Sequence, residues 1–424
     1  MGEVYRLAYA RNSHVAVSRL PAELLTEVFL CIVESGLDGD NARFAPGTFS
    51  FLQVCKHWNE VAVSFPQLWC WWVSGAVKAW PLFDSRSKDA PLSVIWRPQP
   101  ASTPNILMDS RIPNRIHQLD FDGTSRQLAH FLGAFDSSPL PNALSIRIKI
   151  LPYSYELQER LTHFLSLPFP KLSRLDLWNF LPKPSSPVFT TSNLTSLKLF
   201  LLYGDEDRYT SSQVSQVLQL HPNLQELDLT CGAIPLPEQA DPLVPFVLPR
   251  LVNLRLHGMV AAISGFIDFV GMTSPLHNVL IRLGHNPPAS TVSALAGVTK
   301  KILVAYYECR GLGYSREINH LTIVHNSEEE SLVFDALSRS APMSGTKSNL
   351  RFHFVGADAL VGYAMMKEIS PLFPLNNVRE FTAEGPPVYR DWYREMFLGM
   401  GNLSHLHLNK QGILPALWAL SPGN

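Results

Sequence analysis

Cysteine is scarce in this chain, with five in 424 residues, at Cys31, Cys55, Cys70, Cys231 and Cys309, and no C-x-x-C pair among them. So odd and dispersed a set argues against a disulfide framework and fits a reducing compartment. Cys31, Cys55 and Cys70 fall on apolar helical faces, where a thiol acts as a small hydrophobe. An excess of one charge is also missing: 35 Lys and Arg stand against 36 Asp and Glu, so no strong field attracts nucleic acid or an anionic membrane. Long apolar runs are lacking too. Val61–Val77 is uncharged for 17 residues but contains Pro66, and it is short of the roughly 20 residues of a membrane span. Met1–Val17 has no apolar run of the secretory kind. Without secretion the sequons at Asn193 and Asn402 carry no weight. These absences predict a soluble intracellular protein, cytoplasmic or nuclear.

Catalytic signatures are equally sparse. None of the patterns GxGxxG, GxxxxGK[ST], GxSxG and HExxH occurs. The fourteen histidines are dispersed. His405 and His407 share one face of an expected strand but lack a third ligand, so they read as surface residues. Glu328-Glu329-Glu330 reads as the acidic first turn of a helix, favoured there by the helix dipole. No nucleophile–base arrangement suggests an enzyme, and no cofactor or metal is expected.

What the chain does have is an apolar N-terminal stretch, Ser18–Trp72. Leu20-Pro21 opens it, with Pro21 expected at the first helical position. Glu23 comes next in the first turn, and Leu24, Leu25, Val28, Phe29 and Ile32 recur at helical spacing. Gly36 is placed to end that helix. A second helix is expected from about Ser50, carrying Phe51, Val54, Cys55, Trp58, Val61 and Ala62 on one side. Pro66 restarts the chain into Leu68, Trp69 and Trp72. Three short helices carry more apolar surface than so small a unit can bury against itself.

The landmarks Leu20-Pro21-x-Glu23-Leu24-Leu25, Val28-Phe29, Val54-Cys55-Lys56-x-Trp58 and Pro66-x-Leu68-Trp69 resemble the F-box. The resemblance implies a helical module that docks on the Skp-type adaptor of a cullin–RING ubiquitin ligase. The adaptor-contacting residues it implies are Leu20, Pro21, Leu24, Leu25, Val28, Phe29, Leu52, Val54, Cys55, Trp58, Leu68 and Trp69. One departure is the longer loop Asp38–Gly47, in a region that lies near the docking surface in that family. Trp58 is expected in the core of the module, and Trp69 is expected to couple it to the second domain. Trp71 and Trp72 read as junction core.

A polar stretch at Asp84–Asp89 and a proline-rich one at Pro98–Pro104 suggest three segments. These are an extension over 1–17, the F-box-like module and linker over 18–85, and a second domain over 86–424. In the last, Leu-x-x-Leu-x-Leu recurs from Leu172, Leu194, Leu224, Leu251 and Leu403. Looser copies start at Ile116, Ala143, Ile318 and Val378, and Leu350/Phe352/Phe354 alternates like a strand. Between them lie helical patterns at Ser125–Phe135, Glu156–Leu167, Ser211–Leu220, Ala261–Val270, Glu328–Ser338, Asp358–Ile369 and Arg390–Met400. A strand and a helix every 25 to 30 residues or so resembles the leucine-rich repeat, an α/β solenoid with a curved parallel sheet and outer helices. The asparagine of that family is kept at Asn326 but replaced by Gly232, Met259 and Gln411 elsewhere. Pro287–Tyr314 breaks the period, and Lys301–Tyr307 reads as an irregular strand.

The residue between the last two apolar positions of each repeat points away from the core, because side chains alternate along a strand. Down six repeats that column reads Asp120, Arg147, Asp176, Lys198, Asp228 and Arg255, with alternating sign. Together with Trp178 and Phe200 these form the expected target-binding surface. The function expected is recruitment of a target protein to an SCF-type ligase, through the adaptor and its cullin. A scaffold acting outside any ligase is the alternative.

Overall fold

The computed structural model describes residues 20–38, 43–97, 111–133, 135, 140–150, 158–201, 209–231, 233–234, 246–272, 276–283, 296–301, 318–326, 331–339, 347–355, 367–368, 372–373, 375–384, 390–408 and 416. They belong to two compact units, Met1–Asn193 and Leu194–Asn424.

The first unit begins with α1 (Ala22–Ser35). Pro21 is its N-cap rather than its first helical residue, with φ −53° and ψ 150°. Leu25, Phe29 and Val33, at i, i+4 and i+8, turn one stripe into the core. Gly36 ends the helix as expected, but at φ −82°, so left-handed geometry is not its reason. A Cβ there would run into the Thr48 side chain. Gly47, at φ +84°, is the glycine that the backbone itself requires.

The long loop after α1 holds a small antiparallel hairpin, β1 (Leu37–Asp38) and β2 (Arg43–Phe44). The single second helix expected from Ser50 is split. A 3-10 segment, Ser50–Gln53, is followed by a break and then by α2 (Lys56–Ser64). Cys55 sits in that break in extended geometry and caps α2, its Sγ accepting from the Trp58 N–H at 3.5 Å. It is therefore a cap residue and not part of an apolar face. Pro66 opens a 3-10 turn, Pro66–Trp69, leading into β3 (Trp71–Val73).

A kinked 3-10 stretch then reaches α3 (Trp80–Ser87), so the boundary expected at 85 falls inside a helix. Next come β4 (Leu92–Trp96), α4 (Ile112–Arg115), β5 (Ile116–Gly123), α5 (Ser125–Leu132), β6 (Ser145–Ile150), α6 (Gln158–Leu165), β7 (Arg174–Trp178) and α7 (Pro187–Thr190). Strands β3 to β7 pair in order, all parallel. The helical module thus runs straight into the sheet, because its last strand, β3, is the edge of that sheet. Aromatic contacts cross the junction: Trp72–Trp80 at 5.1 Å, Trp80–Trp96 at 6.1 Å and Trp96–Phe131 at 5.5 Å between ring centroids.

The second unit contains β8 (Ser196–Leu201), α8 (Ser211–Gln219), β9 (Glu226–Cys231), β10 (Phe246–Leu248), β11 (Asn253–Gly258), α9 (Val260–Phe269), β12 (Val270–Met272) and β13 (Asn278–Leu283). It continues with β14 (Ile318–Asn326), β15 (Ser331–Arg339), β16 (Lys347–Val355), β17 (Glu380–Glu384), α10 (Arg390–Gly399) and β18 (His405–Leu408). Its main sheet has the order β8-β9-β11-β13-β16-β15-β14-β17-β18. Pairing is parallel except on the two sides of β15, which is antiparallel to β14 and β16.

The helix expected over Glu328–Ser338 is therefore overturned: Ser331–Arg339 is a strand. Leu332, Val333, Ala336 and Leu337 fit a helical stripe, but partners on both flanks satisfy the extended backbone, and pairing overrides the local pattern. Glu328–Glu330 and Pro98–Pro104 lie outside the described residues. So do Met1–Val17, most of Asp358–Ile369 and, apart from Lys301, the Lys301–Tyr307 segment.

The repeat is visible in hydrogen bonds as well as in side chains. The residue entering a strand donates its N–H to its counterpart one repeat earlier. Leu144 donates to the His117 carbonyl at 2.7 Å and Ser173 to that of Leu144 at 2.9 Å. In the second unit Gln225 donates to Thr195 at 2.8 Å, Val252 to Gln225 at 2.8 Å and His277 to Val252 at 2.7 Å. The T-x-x-Q sequences at Thr124 and Thr210 both form capping boxes, starting α5 and α8 in the same way. The architecture is α/β, built on parallel sheet with helical connections, as the spacing predicts.

Candidate docking surfaces

The apolar residues of the helical module divide between core and surface. Leu25, Phe29 and Leu68 are fully buried and Trp69 nearly so. Phe29 stacks on Phe51 at 4.4 Å and meets the Trp58 ring edge-on at 5.3 Å. Trp69 stacks on Phe49 at 5.6 Å, and its Nε1 donates to the Ala62 carbonyl at 3.0 Å. The Arg86 guanidinium covers the Trp69 ring at 4.2 Å. These four side chains hold the module together and present no surface to a partner, which corrects their expected place at the docking face. Trp58, half-buried, packs on Phe29 within the module as expected, whereas Trp69 is core to the module rather than a link to the sheet. Coupling to the sheet falls to Trp72, Trp80 and Trp96.

The other apolar residues of the module remain accessible. Leu24 is 52% exposed, Val28 44% and Val54 52%. Pro21 is exposed, while Leu20, Leu52 and Cys55 are half-buried. Leu24, Val28 and the exposed Cys31, at i, i+4 and i+7, line one face of α1 opposite the stripe that enters the core. Cys31 is thus a surface thiol rather than the small core hydrophobe that its spacing predicts. Burial pushes the Cys70 thiol up to about 11, with the Arg115 charge opposing weakly, so it is protonated at neutral pH.

Leu37 and Phe44 pack with Trp71 and Ala76 against Val73 and Ile95. Val73, Ile95, Asp120, Arg147 and Asp176 follow one another in register across β3 to β7. Leu37 and Phe44 of the hairpin therefore pack on the first two strands of the same sheet face that carries Asp120, Arg147 and Asp176.

Within each unit the expected charged residues are in register, and Asp120 and Asp228 are buried. In the first unit Arg147 lies between Asp120 at 3.6 Å and Asp176 at 3.4 Å. Asp120 is only 8% exposed because Arg97 grips it with both guanidinium nitrogens, each at 2.9 Å. Lys149 bridges to Asp122 at 3.3 Å and stands 5.0 Å from the centre of the Trp178 ring, whose Nε1 donates to Asp176 Oδ1 at 2.8 Å.

In the second unit Lys198, Asp228 and Arg255 are also in register. Lys198 nevertheless pairs with Glu226 at 2.9 Å, while Arg255 reaches Asp228 at 3.8 Å. Partial burial opposes ionisation of Glu226. Hydrogen bonds from Lys198 and Ser196, with the charges of Lys198 and Arg255, outweigh it and hold its pKa below the usual value. Phe200 lies in the next row, beside Thr230.

Arg97 and Glu226 are the residues that sequence reasoning missed. Glu226 was readable: it stands two residues before Asp228, hence on the same strand face. Arg97 follows the last residue of β4 and carries no repeat signature. His405 and His407 are exposed, and among the described residues no group of three His, Cys, Asp or Glu could hold a metal ion. No helix among those residues is long and apolar enough to cross a membrane. No family model matches the chain, and no curated protein matches it.

Proposed function

We propose that this chain is a recruiting subunit with two docking surfaces, an apolar one on the helical module and a charged one on the sheet. In this reading the module is an F-box, the repeats are degenerate leucine-rich repeats, and the chain brings a target protein to an SCF-type ubiquitin ligase through a Skp-type adaptor. The observation that carries the reading is the exposed apolar stripe of Leu24 and Val28 on a helix whose other face is fully packed. Apolar side chains left in water on an otherwise well-packed element mark interaction sites. The chain itself supplies proximity, and the bond-making chemistry belongs to other subunits. Capture of a purified Skp-type adaptor tests this: wild type binds it, and Leu24→Asp with Val28→Asp does not. Adaptor capture undiminished by that pair would remove the reading.

A further inference from the structure

On the outward face of the first unit, the row of Asp120, Arg147 and Asp176 spends its charges on itself and on Arg97. The row beyond it is closed in the same way, Lys149 pairing with Asp122 and lying over the Trp178 ring. The row at the strands' entry differs. Register across β3 to β7 sets Trp71, Ser93, Gln118, Ser145 and Arg174 side by side, without an acid among them. Trp71 packs beside Val73 and Ile95 yet stays half-buried, as do Ser93, Gln118 and Ser145. Ser93 Oγ donates to Gln118 Oε1 at 3.4 Å. Arg174 is exposed, and no described acid pairs with it. The row therefore has an indole at one end, an unspent cation at the other and neutral polar side chains between.

We propose that this row binds an extended segment of a target protein that carries an apolar side chain at one end and a carboxylate at the other. The inference rests on the reading of the sheet face as the target surface and names the chemistry of what docks there. Neighbouring strands lie about 4.8 Å apart, so Trp71 and Arg174, four spacings from each other, stand about 19 Å apart. An extended chain advances about 3.3 Å per residue, so the two groups it offers are about six residues apart. The tryptophan gives an apolar side chain a large, rigid contact area. The guanidinium grips a carboxylate with two parallel N–H donors. Between them Ser93, Gln118 and Ser145 exchange hydrogen bonds with peptide N–H and C=O groups. A nucleic-acid strand brings a charge at every phosphate, and a neutral row with one arginine answers only one of them.

The experiment measures fluorescence anisotropy of a labelled seven-residue peptide, blocked at both termini, with Phe and Asp at its ends and Ser and Gly between. It is added to the full chain in both orders of the two end residues, and one order binds. Replacing its Phe by Ser or its Asp by Asn weakens binding roughly tenfold. Arg174→Glu weakens it as much, and a peptide with Lys in place of Asp restores binding to that variant. A merely structural role for Arg174 would give no such rescue. Binding of neither order, undiminished binding of the Ser or Asn peptide, or no rescue by the Lys peptide would each overturn the proposal. Adaptor capture is scored on the same sample. Capture without peptide binding sinks this inference alone, whereas peptide binding without capture supports it and counts against the adaptor reading.

Discussion

Arg97 and Asp120 form a two-pronged ion pair with side chains only 6% and 11% exposed, joining the end of β4 to the middle of β5. The Arg97 N–H also donates to Ser74 Oγ at 3.1 Å, and that hydroxyl donates back to the Arg97 carbonyl at 3.2 Å. The segment after β3 is thereby fastened to the sheet by polar contacts inside an aromatic junction. Asp120→Ala strands a buried guanidinium and should cost about 3–5 kcal/mol. Arg147→Ala removes two longer pairs whose shared base is 41% exposed and should cost about 1 kcal/mol. Urea denaturation of both variants checks the difference, and equal losses would contradict a buried strut.

The two faces of α1 should respond in opposite ways. Phe29→Ala empties a fully buried site between Phe51 and Trp58 and should cost about 3–5 kcal/mol. Leu24→Asp and Val28→Asp, at exposed positions, should leave the melting temperature nearly unchanged while abolishing adaptor capture. Leu20→Ala with Pro21→Ala should weaken capture without unfolding the sheet. A surface pair that melted as early as Phe29→Ala would place Leu24 and Val28 in the fold's own core.

Trp80 links the helical module to the sheet through Trp72 and Trp96, and its Nε1 donates to the Val73 carbonyl at 3.0 Å. Trp80→Ala should loosen the junction, so limited proteolysis should open new cleavage between Ser74 and Pro91. Trp69→Ala should instead unfold the module as a whole, because that ring packs on Phe49 and Phe83. Identical digestion of Trp80→Ala and wild type would leave the junction to the Arg97–Asp120 pair.

Much of this was legible in the sequence for one reason: a strand of the repeat shows itself in both its core and its outward positions. The Leu-x-x-Leu-x-Leu template placed β7, β8, β9 and β11 within a residue or two, and the same alternation put Asp120, Arg147 and Asp176 in one column. Long-range choices were not local. Nothing near Ser331 reveals that β14 and β16 flank it, so a helical pattern there became a strand. The division of the module's apolar residues between core and surface was hidden as well. Leu24 and Leu25 are neighbours of identical chemistry, and only the direction of packing separates them. Charges chose partners by reach rather than by row, which is why Lys198 pairs with Glu226.

His221 is fully buried just after α8, and burial holds its imidazole down at about 4. The unfolded chain takes up that proton near pH 6.5, so between pH 6.5 and about 4 it binds more protons than the folded chain. Stability is therefore full above pH 6.5 and falls as the pH drops towards 4, by about 3 kcal/mol at most from this residue. His221→Phe should flatten that part of the stability–pH curve. Parallel losses in wild type and variant would assign the acid sensitivity to other groups.

Lys198 and Glu226 give the last test, because they separate sheet chemistry from binding. Both side chains are about a quarter exposed, at 27% and 26%, so their pair at 2.9 Å should contribute no more than about 1 kcal/mol. Lys198→Glu sets a third acid against Glu226 and Asp228 and reverses that contribution. Glu226, no longer held by a lysine, should titrate higher, and the loss should grow as the pH rises and the carboxylates ionise. Adding Glu226→Lys restores an opposite-charge pair in reversed orientation. If the pair serves only the sheet, the double reversal should recover both stability and target capture. If Lys198 and Arg255 meet the target directly, the double reversal should recover the melting temperature and leave capture lost, as Lys198→Glu with Arg255→Glu would. Melting curves and target capture on the single and double variants distinguish the two, and capture that survives every reversal would leave the column without a role in docking.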